Sequence, residues 1–362
     1  MLIAETPFGL KVRVPETPDE DASYPSVDRP SEVAAAYERD GYVVLRGLVP
    51  PTLCDAVRTA FDGEVRRSGA PILRQKNMRY EANAFDADGF LSNPIFNVQD
   101  LETRRFGRFK RAALDVLTHP AVAAATGSVL GVPRTKLIQS MFFEAPAGTW
   151  AHQDSYYQDS ADGLGGGVAG WFALEDVDAG AGRFYVASRS HVALPPLRNE
   201  GEFGVALGHD RYKRAVVEAV RSAGLDCSAP HLRKGDVLLW SSLLVHGSLE
   251  ALRPGVSRAS LTAHYLAESA EMLQFHARVR KLDMTRHNGM AVGLLHNQDR
   301  FRNRVVRQVA WRAPGLFGAA RRAAIQAVLA ANRLRGAAAA APAAAASAVP
   351  GHDASRPAGQ GG

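Results

Sequence analysis

A chain of 362 residues that is 46% hydrophobic and 22% charged is long and apolar enough to bury one large core or two modest ones, which excludes disorder throughout. Its only cysteines, Cys54 and Cys227, provide neither a disulfide framework nor a thiolate cluster for zinc or iron and sulfur, so a reducing, cytoplasmic setting fits. The net charge of +6 belongs to the end of the chain: from Phe301 onward nine arginines face one acid, Asp353, while residues 1–300 are slightly acidic, and no nucleic-acid-binding core is indicated.

The start MLIAETPFGLKVRV lacks the basic residues and long apolar run of a signal peptide, and no apolar stretch approaches the roughly 20 residues of a membrane span. Residues 1–30, rich in Pro, Asp and Glu, read as an extended arm with little to bury. Ser31 precedes EVAAAYERD, a short helix expected to stop at Gly41, and YVVLRGL follows as a strand. After Pro50 and Pro51, the spacing of Leu53, Val57, Ala60, Phe61 and Val65 predicts a second helix with one buried face. A further helical region covers about residues 101–127.

From Lys136 the texture changes to short β-like runs, KLIQSMFFEA, GWFALEDV, GRFYVAS, GDVLLWSSLLVH and SRASLTAHYL, with one helix inserted around Ala206 to Ala223. That texture predicts an antiparallel sandwich or barrel, with the main domain over residues 31–300. Residues 301–336 read as a basic helical segment, and 337–362, almost all Ala, Pro and Gly, as a disordered tail.

The chemistry concentrates in TWAHQDSYY. His152 and Asp154 are two residues apart, so on an extended strand both side chains point the same way and can grip one ion. Of the 11 histidines, His246 has the best context far downstream, after the apolar run GDVLLWSSLLV and before Gly247, where a turn can present the ring. Arg258 follows in SRASLTAHYL, with Ser260 on the same face of that strand. Two imidazoles and one carboxylate form the facial triad that holds Fe(II) with three positions open. A 2-oxo acid would fill two positions and dioxygen the third, and the far carboxylate of 2-oxoglutarate suits a forked, permanently charged donor such as Arg258.

In the sequence HQD, GDVLLW, HGS and R-x-S, from about Asp40 to about Leu266, the chain resembles the phytanoyl-CoA dioxygenase family of Fe(II)- and 2-oxoglutarate-dependent oxygenases. The resemblance implies a double-stranded β-helix, a jelly-roll or cupin-like barrel of mostly β structure with N-terminal supporting helices. It makes His152, Asp154 and His246 the iron ligands and Arg258 the partner of the cosubstrate's distal carboxylate. Ser260 stands beside that carboxylate site, Trp171 falls where the family has an aromatic residue lining the cosubstrate pocket, and Gln139 and Ser248 are further cosubstrate-side candidates. The implied reaction is hydroxylation of an unactivated carbon of a small-molecule, lipid-type or sugar-type metabolite, with release of succinate and carbon dioxide.

One stretch departs from the family pattern: GRFYVASRSH carries Ser188 and Arg189 where Pro and Gly are usual, which marks that loop as a place where specificity could differ and His191 as a structural residue. Gly165, Gly167 and Gly170 have dinucleotide-fingerprint spacing, but no strand precedes them and a strand, rather than a helix, follows, so residues 160–170 read as a flexible loop over the metal. Two other classes stay open: a cupin-like metal isomerase or hydrolase, which has no use for Arg258 and Ser260, and a non-catalytic binding module, against which the complete triad speaks. For the basic segment, a solvated helix over residues 316–335 packed loosely on the body is the expected arrangement, with weak attraction to anionic lipid or an acidic substrate as the second reading. The oligomeric state is not legible.

Overall fold

Gly41 takes φ 80° and its N–H caps the Tyr37 carbonyl, which stops the Pro30–Asp40 helix at the predicted place. The chain enters the fully buried Tyr42–Leu45 strand and then the Pro51–Ala60 helix, which continues into a π-type turn over Phe61–Val65. Val57, Phe61 and Val65 form its buried side, with Leu53 and Ala60 partly covered. The region expected around 101–127 is two helices, Thr103–Leu117 and Pro120–Leu130, because Pro120 lacks the N–H that a continuous helix would need and opens the second helix instead.

The computed structural model describes residues 1–320 and Ala323, apart from Ala147, Ala206 and Leu207; the tail expected over 337–362 and the rest of the 301–336 segment lie outside the described residues. Met1–Arg307 forms one compact unit and the chain from Gln308 a second.

Within the first unit, two largely antiparallel sheets carry the fold. The larger runs in the order Asp283–His287, Met290–Leu294, Thr135–Phe143, Ser260–Ala267, Gly167–Ala173, Val237–Ser241, Tyr42–Leu45, with Ile95–Phe96 paired to Thr135–Phe143. The smaller runs Leu2–Glu5, Lys11–Val14, Cys227–Ser228, Phe184–Ala187, His246–Ser248, Thr149–His152. From Thr135 to Ala267 the chain passes back and forth between the sheets, which winds a double-stranded β-helix of the jelly-roll type.

Side-chain alternation separates two apolar layers. Val237 and Leu239 face the helices, in one cluster with Val57, Phe61 and Phe109; Leu238 and Trp240 face the barrel interior with Trp171 and Phe184. The helices of the N-terminal third therefore cover the outer face of the larger sheet, as expected. No single helix among the described residues is long and apolar enough to cross a membrane; the bent pair Thr103–Leu117 and Pro120–Leu130 spends Phe106, Phe109, Leu117 and Val122 on the core.

The structure corrects several expectations. Residues 1–30 are not an arm with little to bury: Leu2–Glu5 pairs with Lys11–Val14, which adds in parallel to Cys227–Ser228, and Val12 and Val14 are fully buried. GDVLLWSSLLVH is two strands in different sheets, so His246 opens a new strand rather than ending the old one. The glycine loop ends at Gly166, since Gly167–Ala173 is a buried central strand. That loop is pinned by the Asp159 carboxylate, which accepts from the Gly165 N–H at 2.9 Å and the Ser242 hydroxyl at 3.1 Å, and none of its residues lines the metal-side cavity. The Phe301–Arg312 helix buries Arg307 and Ala310 while Phe301, Val305 and Val309 are exposed; the helix expected over residues 316–335 lies mostly outside the described residues.

Candidate metal centre

His152 and His246 lie opposite each other on neighbouring antiparallel strands, with ring centroids 4.2 Å apart. Gln153 is extended at φ −103° and ψ 134°, so Asp154 returns to the side of His152 although the strand has ended and Asp154 opens a 3-10 turn. Gln153 itself is fixed away from the site: its N–H donates to the Tyr212 hydroxyl, its side-chain amide donates to the Leu243 carbonyl, and its side-chain oxygen accepts from the Leu197 N–H.

Asp154 Oδ1 is 3.5 Å from His152 Nε2 and 3.4 Å from His246 Nε2, and the three donor atoms lie within 4.8 Å of one another. The other ring nitrogens decide the tautomers. His152 Nδ1 is 2.8 Å from the Trp150 carbonyl and His246 Nδ1 is 2.9 Å from the Leu244 carbonyl. A carbonyl only accepts, so each Nδ1 carries the proton and each Nε2 turns a lone pair to the common point. Asp154 Oδ2 accepts from the Trp240 indole N–H at 2.8 Å, with His264 Nδ1 at 3.7 Å, which leaves Oδ1 for that same point.

Burial pushes the His152 and His264 imidazoles below their ordinary range, toward the neutral form that can ligate. Burial alone would raise the Asp154 carboxyl, but the facing His246, His264 and His152 rings outweigh it and hold the group well below the usual carboxylate range. Two imidazole Nε2 atoms and one carboxylate oxygen, on one side of a buried point, fit the facial set for Fe(II). Beyond them a cavity between the sheets is walled by Met141, Phe143, Trp171 and Phe184, with Thr262 and His264 of the Ser260–Ala267 strand and Arg258 just before it as further polar side chains.

The sequence profile of the phytanoyl-CoA dioxygenase family, PhyH, matches residues 37–258, more than half of the chain. The chain belongs to the phytanoyl-CoA dioxygenase family. Its class is that of an iron- and 2-oxoglutarate-dependent oxygenase. No curated protein matches it by sequence. Among solved structures, it is similar to the non-heme alpha ketoglutarate dependent epimerase SnoN from nogalamycin biosynthesis, with 19% identity, 67% of this chain and 85% of the other covered, and a TM-score of 0.48. It is also similar to EctD from S. alaskensis, crystallised with 2-oxoglutarate and 5-hydroxyectoine, with 19% identity, 78% and 95% covered, and a TM-score of 0.46. For AviO1 from Streptomyces viridochromogenes Tue57 the values are 15%, 69% and 98%, and 0.47.

In this member of the phytanoyl-CoA dioxygenase family, the residues expected at the site divide. His152, Asp154, His246, Trp171, Ser248 and Arg258 all line one cavity. Arg258 is 2% exposed, its guanidinium donates to the Gly182 carbonyl, and burial pulls its pKa down to about 10, which leaves it a cation at neutral pH. Ser260 is buried beside it, but its hydroxyl donates to the Arg258 carbonyl at 3.3 Å and it does not line the cavity. Thr262, two residues on along the same face, does, and its buried Oγ1 has no hydrogen-bond partner among the described residues. Gln139 sits opposite His264 in the strand ladder, half-buried and outside the cavity lining.

The altered turn after GRFYVA also stays out of the cavity. Arg189 adopts φ 66°, Ser190 Oγ accepts from the Val245 N–H at 2.8 Å, and a His191 ring nitrogen is 2.9 Å from the Glu38 carbonyl. It braces the approach to His246 against the first helix, which makes His191 structural.

Sequence reasoning did not single out the cavity's apolar wall of Met141, Phe143 and Phe184, nor Thr149, Trp240, His264, Thr262 and Gln75. Trp240 lies inside the motif GDVLLW, and His264 and Thr262 share the even-numbered face of Arg258, so alternation could have found them. Gln75 comes from a turn held by its N–H on the Pro94 carbonyl and carries no signal. Trp240→Phe, which keeps the ring and removes the N–H donor to Asp154 Oδ2, is expected to weaken iron binding roughly ten- to hundredfold. Metal titration checks this, and unchanged affinity would remove the indole from the account.

Proposed function

We propose that this oxygenase hydroxylates an unactivated carbon of a small-molecule metabolite. The observation that carries the reading is one cavity in which two imidazole lone pairs, one ionised carboxylate and a buried guanidinium stand together. Iron, with 2-oxoglutarate and dioxygen, would supply the oxidation: the 2-oxo acid would lose carbon dioxide and take up one oxygen atom to become succinate, and the other oxygen atom would be inserted into a C–H bond of the substrate.

The chain's own groups do the holding. His152, Asp154 and His246 would hold the metal at one side of the cavity. Arg258 offers a charged fork to the distal carboxylate of 2-oxoglutarate, and the Thr262 hydroxyl adds a donor to that carboxylate. Trp171 walls the same space and Ser248 adds a polar edge. Met141, Phe143 and Phe184 keep the cavity apolar and exclude water from the reacting carbon. The free, buried thiols of Cys54 and Cys227 suit a reducing, cytoplasmic location.

A metal isomerase or hydrolase on this barrel would have no dicarboxylate cosubstrate for a cationic fork in the cavity to meet. The deciding experiment incubates the iron-loaded protein with 2-oxoglutarate and a library of metabolites, and reads products by mass spectrometry. A gain of one oxygen with an equal amount of succinate is expected. Substrate conversion that proceeds without 2-oxoglutarate would overturn the proposal.

A further inference from the structure

The Phe301–Arg312 helix is arranged the reverse of an ordinary surface helix, whose apolar stripe faces the core. Phe301 is 73% exposed, Val305 43% and Val309 49%, and their spacing of four places them along one side. Arg307, by contrast, is turned inward and paired with Glu102 at 2.9 Å. Arg302 and Arg312 flank the exposed stripe and make no ion pair among the described residues. Trp311 and Leu316 are exposed just beyond. From Phe301 to His352 the sequence has eight arginines and no acid, while residues 1–300 are slightly acidic.

We propose that this helix docks the protein on an anionic membrane surface, with Phe301, Val305 and Val309 entering the headgroup–acyl boundary and Arg302 and Arg312 meeting lipid phosphates and carboxylates. Charge selects this occupant. A second copy of the same helix would set arginine against arginine with no acid in the stretch to compensate. An acidic peptide would satisfy the arginines and leave the phenylalanine and valines in water. A lipid surface of negative charge takes both at once, and an exposed tryptophan suits the same interface. The inference is independent of the oxygenase reading, since none of these residues lines the metal-side cavity.

The test floats the full-length protein with phosphatidylcholine vesicles, with and without phosphatidylserine, at low and high salt. Binding only to vesicles that contain phosphatidylserine, and loss of that binding at about 1 M salt, is expected. Arg302→Gln and Arg312→Gln should each weaken it roughly fivefold, from about 1 kcal/mol for each basic residue near such a surface. Phe301→Ser with Val305→Ser should weaken it tenfold or more, on the order of the transfer energy of those side chains, with melting temperature and succinate formation unchanged because both positions are exposed. Should that pair fail to fold, the two arginine variants carry the test alone. No binding to phosphatidylserine vesicles at low salt, or equal binding to phosphatidylcholine alone, overturns the proposal. So does a dimer in solution that Phe301→Ser dissolves.

Discussion

Asp154→Ala is expected to abolish iron binding and bring succinate formation to background, the largest loss that any single substitution in the site should produce. The carboxylate is the only anion among the three donors, so its removal leaves two neutral imidazoles to hold a divalent cation in a buried place. It also strips the Trp240 N–H of its acceptor, and a buried donor left unmade costs about 1–3 kcal/mol. Lower stability alone could therefore imitate loss of function. Asp154→Asn separates the two effects, because an amide oxygen can still accept from the Trp240 indole while the charge is gone. The Asn variant should melt close to the parent and still bind iron far more weakly. His152→Ala and His246→Ala should likewise lose metal. Normal iron content and turnover in any of the three alanine variants would sink the ligand assignment.

How much of this was legible follows from what each signal depends on. The triad could be read because i, i+2 alternation is local: His152 and Asp154 need only an extended Gln153 between them. His246 could be picked out by its apolar approach, although that approach hides a passage from one sheet to the other between Ser241 and His246. The N-terminal hairpin was hidden by composition, since its prolines and acids outweighed the short alternation Lys11-Val12-Arg13-Val14. The Asp283–His287 and Met290–Leu294 hairpin was overlooked despite Asn288-Gly289, whose positive φ values of 46° and 82° are those of a tight hairpin turn. Which of two same-face hydroxyls reaches the cavity is a different kind of question. Ser260 and Thr262 have identical parity, and only the bond of Ser260 to its neighbour's carbonyl takes it out of contention.

Arg258→Gln is expected to raise the KM for 2-oxoglutarate roughly ten- to hundredfold while the KM for the hydroxylated substrate stays near its parent value, because a hydrogen bond to a charged group is worth about 1.5–3 kcal/mol. Removing the guanidinium also takes a donor from the Gly182 carbonyl, so some stability is lost as well, and the split between the two KM values is the reading that a merely structural arginine could not produce. Arg258→Lys should fall between parent and Gln, since it keeps the cation and loses the planar fork. The neighbouring hydroxyls sharpen the assignment. Thr262→Val preserves shape and deletes only the hydroxyl, and should raise the 2-oxoglutarate KM by a smaller factor, about three- to tenfold from one neutral donor. Ser260→Ala should leave it unchanged, because that hydroxyl is bound to the Arg258 backbone. If both KM values rise together in Arg258→Gln, the arginine holds the barrel rather than the cosubstrate; if Ser260→Ala raises the 2-oxoglutarate KM and Thr262→Val does not, the two hydroxyls exchange roles.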